Sequence, residues 1–123
     1  MSDRRRALGA AGEARAAAHL EASGYRILAR NVRAGGVELD LVAQRGDTLV
    51  FVEVKTRTSD AFGGAEDAVD ARKQARLARG AAAWLREHAH GARRARFDVI
   101  ACRFESGSGW RLTHFEDAFD AGP

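Results

Sequence analysis

The chain has 123 residues, a length that suits one domain with a real core. Its 46% hydrophobic content is swollen by alanine, so the large apolar side chains gather in a few segments. A single cysteine, Cys102, excludes an internal disulfide or a cysteine-only metal cluster and suits a reducing cytoplasm, and no apolar run approaches the ~20 residues of a membrane span. The net charge of +3 is carried almost wholly by arginine, with Lys55 and Lys73 the only lysines. Arginine forks match phosphates, but so small an excess says little about nucleic acid on its own.

The N-terminal stretch is rich in arginine and alanine, lacks the apolar core of a secretory signal, and reads as part of the fold. Helical periodicity runs from about Arg5 to Ser23, with Gly24 as the C′ residue. On this helix Gly9, Glu13, Ala17 and Leu20 share one stripe, which sets a carboxylate in the face expected to dock on the core. Tyr25 to Asn31 reads as a strand, and Arg33 to Gly36 as a turn. Val37 to Ala43 is a second strand, with Glu38 and Asp40 on one side and Val37, Leu39 and Leu41 on the other. Arg45, Gly46 and Asp47 turn the chain tightly into a third strand, making a meander.

That third strand, from Thr48 through FVEVKTR, is dominated by β-branched and aromatic residues, the composition of a strand covered on both faces. Period two places Leu49, Phe51, Glu53, Lys55 and Arg57 on one side, so Glu53 and Lys55 continue an apolar row. Burying either charge alone would cost several kcal/mol on an order-of-magnitude basis, so each requires a partner, a metal or a solvated cleft. Thr58 to Gly64 is a loop whose paired glycines, Gly63 and Gly64, allow closure over a substrate, with a plain turn as the default reading. A second helix spans about Ala68 to His88. Its apolar stripe of Leu77, Ala81, Trp84 and Leu85 begins one turn upstream with Lys73, while Arg72, Arg76, Arg79 and Arg86 fall on a different arc. Arg96 to Phe104 forms a fourth strand, Glu105 to Gly109 a turn and Trp110 to Phe115 a fifth strand. Residues 1–4 and 120–123 are expected to fray.

Pattern alone thus puts Glu13, Asp40, Glu53 and Lys55 where burial or a cleft is expected. Neighbouring strands lie ~4.8 Å apart, so Asp40 and Glu53 approach closely if the hairpin aligns them. A divalent cation resolves the repulsion, since Mg²⁺ takes oxygen ligands, keeps several waters and needs one or two carboxylates. Lys55, on the same face, would hold or activate the water that attacks a phosphodiester. The competing reading is a solvated strand face carrying Glu and Lys for solubility, which the flanking apolar residues oppose. Lys73 and Gln74 are placed to reach the cleft, Arg57 to touch a scissile-strand phosphate, and Arg76 with the other helix-two arginines to meet a nucleic-acid backbone. A solvated helix face is the plainer alternative for those arginines, and snorkelling at the helix start is an equal alternative for Lys73. His88, His90 and His114 lack metal-ligand company and read as ordinary surface or helix-end histidines, and His19 is likewise isolated. Trp84 reads as core and Trp110 as strand packing.

The segments GAAGEARAAAHLEASGYRILARN, GGVELDLVAQ, LVFVEVKTR, ARKQARLARGAAAWL, RFDVI and THFEDAF together resemble the YraN-like family of uncharacterised bacterial proteins, over about Gly9 to Phe119. That family is similar to the PD-(D/E)XK (restriction-endonuclease-like) nucleases, with archaeal Holliday-junction resolvases among its nearer relatives. The resemblance implies an α/β fold with an αβββαβ core, a mixed central sheet flanked by two helices, in a single nuclease-like domain over 1–123. It implies Asp40 and Glu53 as acidic ligands, Lys55 as the catalytic lysine and Glu13 as a helix-one glutamate. Leu39 stands where the motif's proline often precedes the first acid. The reading is therefore a cytoplasmic Mg²⁺ (or Mn²⁺)-dependent endonuclease acting on DNA, branched or structured DNA included. Its catalytic residues would be Asp40, Glu53 and Lys55, its metal ligands Glu13, Asp40 and Glu53, and its nucleic-acid contacts Arg57, Lys73, Gln74 and Arg76. It carries no membrane association, and junction cutting would suit a homodimer. The alternative is a nucleic-acid-binding or partner-binding module that keeps the nuclease fold without efficient cleavage.

Overall fold

A computed structural model describes residues 3–58, 69–88 and 94–120. Helix α1 (Asp3–Ala22) leads into strands β1 (Arg26–Ala34), β2 (Val37–Arg45) and β3 (Thr48–Thr58). Helix α2 (Ala71–His88) then precedes β4 (Arg94–Glu105) and β5 (Gly109–Phe115). The five strands form one sheet in chain order. The β1–β2, β2–β3 and β4–β5 pairs are antiparallel and β3–β4 is parallel, so α2 is the crossover that a parallel pair requires. This is the expected αβββαβ order on a mixed sheet. Helix α1 begins at Asp3. The loop glycines Gly63 and Gly64, and His90, lie outside the described residues.

Local chemistry sets the turns. Gly24 (φ +92°) closes α1: its N–H donates to the Glu21 carbonyl at 3.1 Å and the Tyr25 N–H to the Leu20 carbonyl at 2.9 Å, a Schellman arrangement. Gly35 and Gly36, with φ of +59° and +76°, join Ala34 to Val37 in a two-residue hairpin that any side chain would strain.

The two faces of the sheet bury separate clusters. On one, Leu39, Val42, Leu49, Phe51, Phe97 and Val99 meet Leu77, Ala81 and Trp84 of α2. On the other, Leu41, Ala43, Val50, Val52, Val54 and Ile100 meet Ala16, Ala17 and Leu20 of α1. The face α1 buries is Gly12, Ala16, Ala17 and Leu20, so Glu13 and Gly9, expected inside it, lie half-buried at its border. The helix comes close because its contact residues are small. A Cβ on Gly12 would overlap Thr56 Oγ1, and the Cys102 thiol donates to the Gly12 carbonyl at 3.4 Å. Burial pushes that thiol up to about 11, which suits an inert packing residue.

Leu39 and Leu41 lie in different clusters, on opposite faces of the sheet, although simple alternation puts them together. The period breaks at Asp40. In β1 the pairs Arg30↔Leu41 and Val32↔Leu39 flank Asn31, which adopts φ +49°, a left-handed conformation that asparagine tolerates better than most residues.

Candidate active site

The β2–β3 ladder runs from Arg45↔Thr48 to Leu41↔Val52 and stops there. Beyond it, β2 stays with β1 and β3 stays with β4, so the two middle strands fork. Asp40 stands in the crotch. Its Oδ2 accepts the Val54 N–H at 2.8 Å, so a side chain takes the place of a strand partner. Glu53 follows on β3, 7% exposed, and Asp40 lies within hydrogen-bonding reach of it. Burial pushes the Asp40 carboxyl up to about 7, aided by the charges of Glu53 and Glu13 and opposed by the Val54 N–H.

Glu53 is neutralised by two ammonium groups. Lys55 Nζ donates to Glu53 Oε2 at 3.3 Å and Lys73 Nζ to the same oxygen at 2.5 Å. Burial lowers the Lys55 pKa, with the adjacent Lys73 adding to the effect and Glu53 opposing it. For Lys73 burial is the largest single influence and pulls downward, but the hydrogen bonds to Glu53 and Lys55 and the charges of Glu53 and Asp40 together outweigh it and the pKa is raised. The Lys73 side chain is one-third exposed and turns its ammonium to Glu53 rather than wholly to solvent.

Asp40, Glu53, Lys55 and Lys73 therefore come together, and Arg76 lines the same cavity of about 220 Å³ with Glu38, Asp40 and Lys73. Glu13 stands apart, on the α1 side of the fork. Burial raises its pKa, a hydrogen bond from Asn31 opposes this, and Glu38 and Glu53 add repulsion. Arg57 lies further along β3, half-buried, with its Nη1 donating to the Thr56 carbonyl at 3.4 Å. Gln74 donates Nε2 to the Val69 carbonyl at 3.1 Å, holding the entry to α2 rather than facing the carboxylates.

Among the described residues no three His, Cys, Asp or Glu side chains gather closely enough to cage a metal ion. A hard cation that keeps several waters needs fewer. The Asp40 and Glu53 pair, with the Asp40 carboxyl raised chiefly by burial and further by the charge of Glu53, is a donor set that suits Mg²⁺ or Mn²⁺.

Two features escaped the sequence reading. Asn31 orders Glu13 and marks the break opposite Asp40; its only signal was an asparagine inside a strand, where that residue is depleted. The second is a buried network around Asp98, which is 0% exposed. Arg96 grips it with Nε at 2.9 Å and Nη2 at 3.0 Å, His114 Nε2 lies 2.7 Å away, and the Asp117 N–H donates at 2.9 Å. Arg96 also donates to the Tyr25 hydroxyl at 2.6 Å, and His114 Nδ1 meets His19 Nε2 at 3.1 Å. His19 and His114 are thus neither surface nor isolated residues. The aspartate of RFDVI was the available signal.

No described helix is long and apolar enough to cross a membrane. The chain matches the family described as "Uncharacterised protein family UPF0102" over residues 12–102. It is 47% identical over 120 residues to a UPF0102 protein of Nitratidesulfovibrio vulgaris, covering 98% of this chain and 89% of that one. It is 50% identical over 113 residues to one of Frankia casuarinae, covering 92% and 96%. A UPF0102 protein of Beutenbergia cavernae is 51% identical over 108 residues, covering 88% and 92%. With a match across most of its length and this degree of identity to near full-length relatives, the chain belongs to the UPF0102 (YraN) family.

Proposed function

We propose that the protein is a divalent-metal-dependent endonuclease that hydrolyses phosphodiester bonds of DNA, at branched or otherwise structured sites. The observation that carries this is the Asp40–Glu53 carboxylate pair in the fork of β2 and β3, with the Lys55 ammonium 3.3 Å from Glu53. A structural strand does not need two carboxylates forced together. A phosphoryl-transfer site does, because they attract a cation and the adjacent lysine meets the charge that develops on the phosphate.

When bound, Mg²⁺ or Mn²⁺ would polarise a phosphate oxygen and favour ionisation of the attacking water. Asp40 and Glu53 would hold it, with Asp40 giving up its proton to do so. Lys55, its pKa lowered by burial, is placed to orient the water and steady the phosphate. Lys73 and Arg76 line the same cavity and add cations for the phosphate oxygens. The water oxygen forms the new P–O bond as the bridging oxygen leaves and takes up a proton.

The two lysines on Glu53 favour a second reading. They neutralise that carboxylate without a metal, as a module that binds nucleic acid and does not cut it would require. Cleavage of duplex, single-stranded, flap and four-way DNA with Mg²⁺, Mn²⁺ or a chelator separates the two. Metal-dependent cutting of a structured substrate supports the nuclease; binding across the panel without cutting supports the module.

A further inference from the structure

Three hollows adjoin one another from the fork outward. Glu38, which lines the cavity of Asp40 and Lys73, also lines a hollow of about 560 Å³ on the α1 side, with Arg5, Arg6, Glu13, Val54 and Thr56. That hollow shares Arg5, Leu8 and Thr56 with a larger one of about 1040 Å³, which runs on to Arg4, Arg57 and Phe104. The first hollow borders the second at Glu38 and the second borders the third at Arg5, Leu8 and Thr56, so they follow one another from the carboxylates, past the N-terminal turns of α1, to the C-terminal ends of β3 and β4. The series is acidic at the fork, and none of the described residues lining its far part is acidic.

Phe104 stands in that arginine-lined part, 38% exposed, the one large hydrophobic side chain left exposed among the described residues. Its ring lies 5.3 Å from that of Trp110, which the Arg15 guanidinium covers at 5.9 Å. Guanidinium groups bind phosphates, and an accessible ring offers a stacking surface to a base. Paired bases within a duplex have their faces already stacked, so the combination suits unpaired nucleotides.

We infer that this groove holds a single-stranded nucleic-acid segment contiguous with the phosphate at Asp40 and Glu53, with a base against Phe104 and its phosphates at Arg4, Arg5 and Arg57. The inference rests on the nuclease reading only for where the strand leads. The substrate class it names is a duplex with a single-stranded tail or flap.

The test is fluorescence anisotropy in a chelating buffer, so that cleavage plays no part. The probes are a blunt duplex and the same duplex carrying an oligo-dT or an oligo-rU tail, the two tails deciding between deoxyribose and ribose. Wild type should bind a tailed duplex more tightly than the blunt one. Phe104→Ala and Phe104→Leu should lose about tenfold on the tailed probe and nothing on the blunt one, while Phe104→Tyr keeps the preference. Arg57→Ala should reduce the salt slope for the tailed probe by about one. Equal binding of blunt and tailed probes by wild type, or an undiminished tail preference in both Phe104→Ala and Phe104→Leu, would overturn the inference. A tail preference in a protein that cuts nothing supports the groove and removes the nuclease; cutting with no tail preference does the reverse.

Discussion

The Asp40 carboxylate accepts the Val54 N–H at 2.8 Å, where a further rung between β2 and β3 would otherwise stand. One side chain thereby keeps a buried backbone donor satisfied, parts two strands and stands beside Glu53. Its structural and chemical roles can be separated, because the first needs only an oxygen and the second needs a charge.

Asp40→Asn retains the amide oxygen for Val54 and removes the charge. Metal-stimulated cleavage should fall to background, while DNA binding persists and the metal-free melting temperature stays level or rises at neutral pH, as a buried repulsion is relieved. Cleavage, band shift and thermal melting on one preparation check this. Unaltered cutting by the variant would remove Asp40 from the mechanism.

The same carboxyl predicts a pH dependence. Its pKa is raised from an ordinary 3.8 to about 7 on folding, so its contribution to stability is complete below the lower value and is lost as pH rises through the upper one. The metal-free melting temperature should decline between about pH 4 and about pH 7, and Asp40→Asn should flatten that decline. Mg²⁺ should stabilise most at the alkaline end, where it replaces the proton, and cleavage should rise through about pH 7. A Mg²⁺ stabilisation independent of pH would contradict the assignment.

Lys55→Ala leaves Lys73 on Glu53, so the fold should persist, as circular dichroism would record. Cleavage should fall by ~10² or more, the loss typical of one positioned electrostatic group. Lys73→Ala should cost less cleavage and weaken DNA binding with a flatter salt dependence. Equal losses in the two variants would mean that the lysines act as one unit.

Away from the fork, Asp98→Ala should destabilise the chain by ~3–5 kcal/mol, because Arg96 and His114 lose the carboxylate that both contact. Urea unfolding measures this. Below the transition, DNA binding should be retained, since Asp98 ties β4 to β5 and to Asp117 rather than lining the arginine groove. Loss of binding in a folded variant would give the network a role beyond stability.

Gly12→Ala would place a methyl against Thr56 Oγ1. The expected cost is ~1–3 kcal/mol, a typical penalty for overpacking, and Thr56→Ala in the same chain should recover much of it. Melting of the two single variants and the double variant decides. Additive losses would mean that the contact is relieved without strain.

The sequence by itself determined the order of the elements, the Gly24 cap of α1 and the face of β3 that carries Glu53 and Lys55. Each of these is written in a local period or a single turn residue. It also placed Lys73 on the sheet-facing side of α2, and its demand that a buried Glu53 have a partner was sound, because the cost of burying a charge does not depend on topology. Only the tertiary structure decided which partner. Lys73 reaches Glu53 because β3 and β4 are parallel and α2 must cross between them, a relation no local spacing encodes. The break in β2 was likewise hidden: period two assumes an unbroken strand, and Leu39 and Leu41 part only because Asn31 turns left-handed on one side of Asp40 while Val54 waits on the other. Asp98, His114 and His19, from β4, β5 and α1, form their network for the same reason: hydrogen-bond partners distant in sequence are chosen by register and docking, which the whole sheet must first assemble.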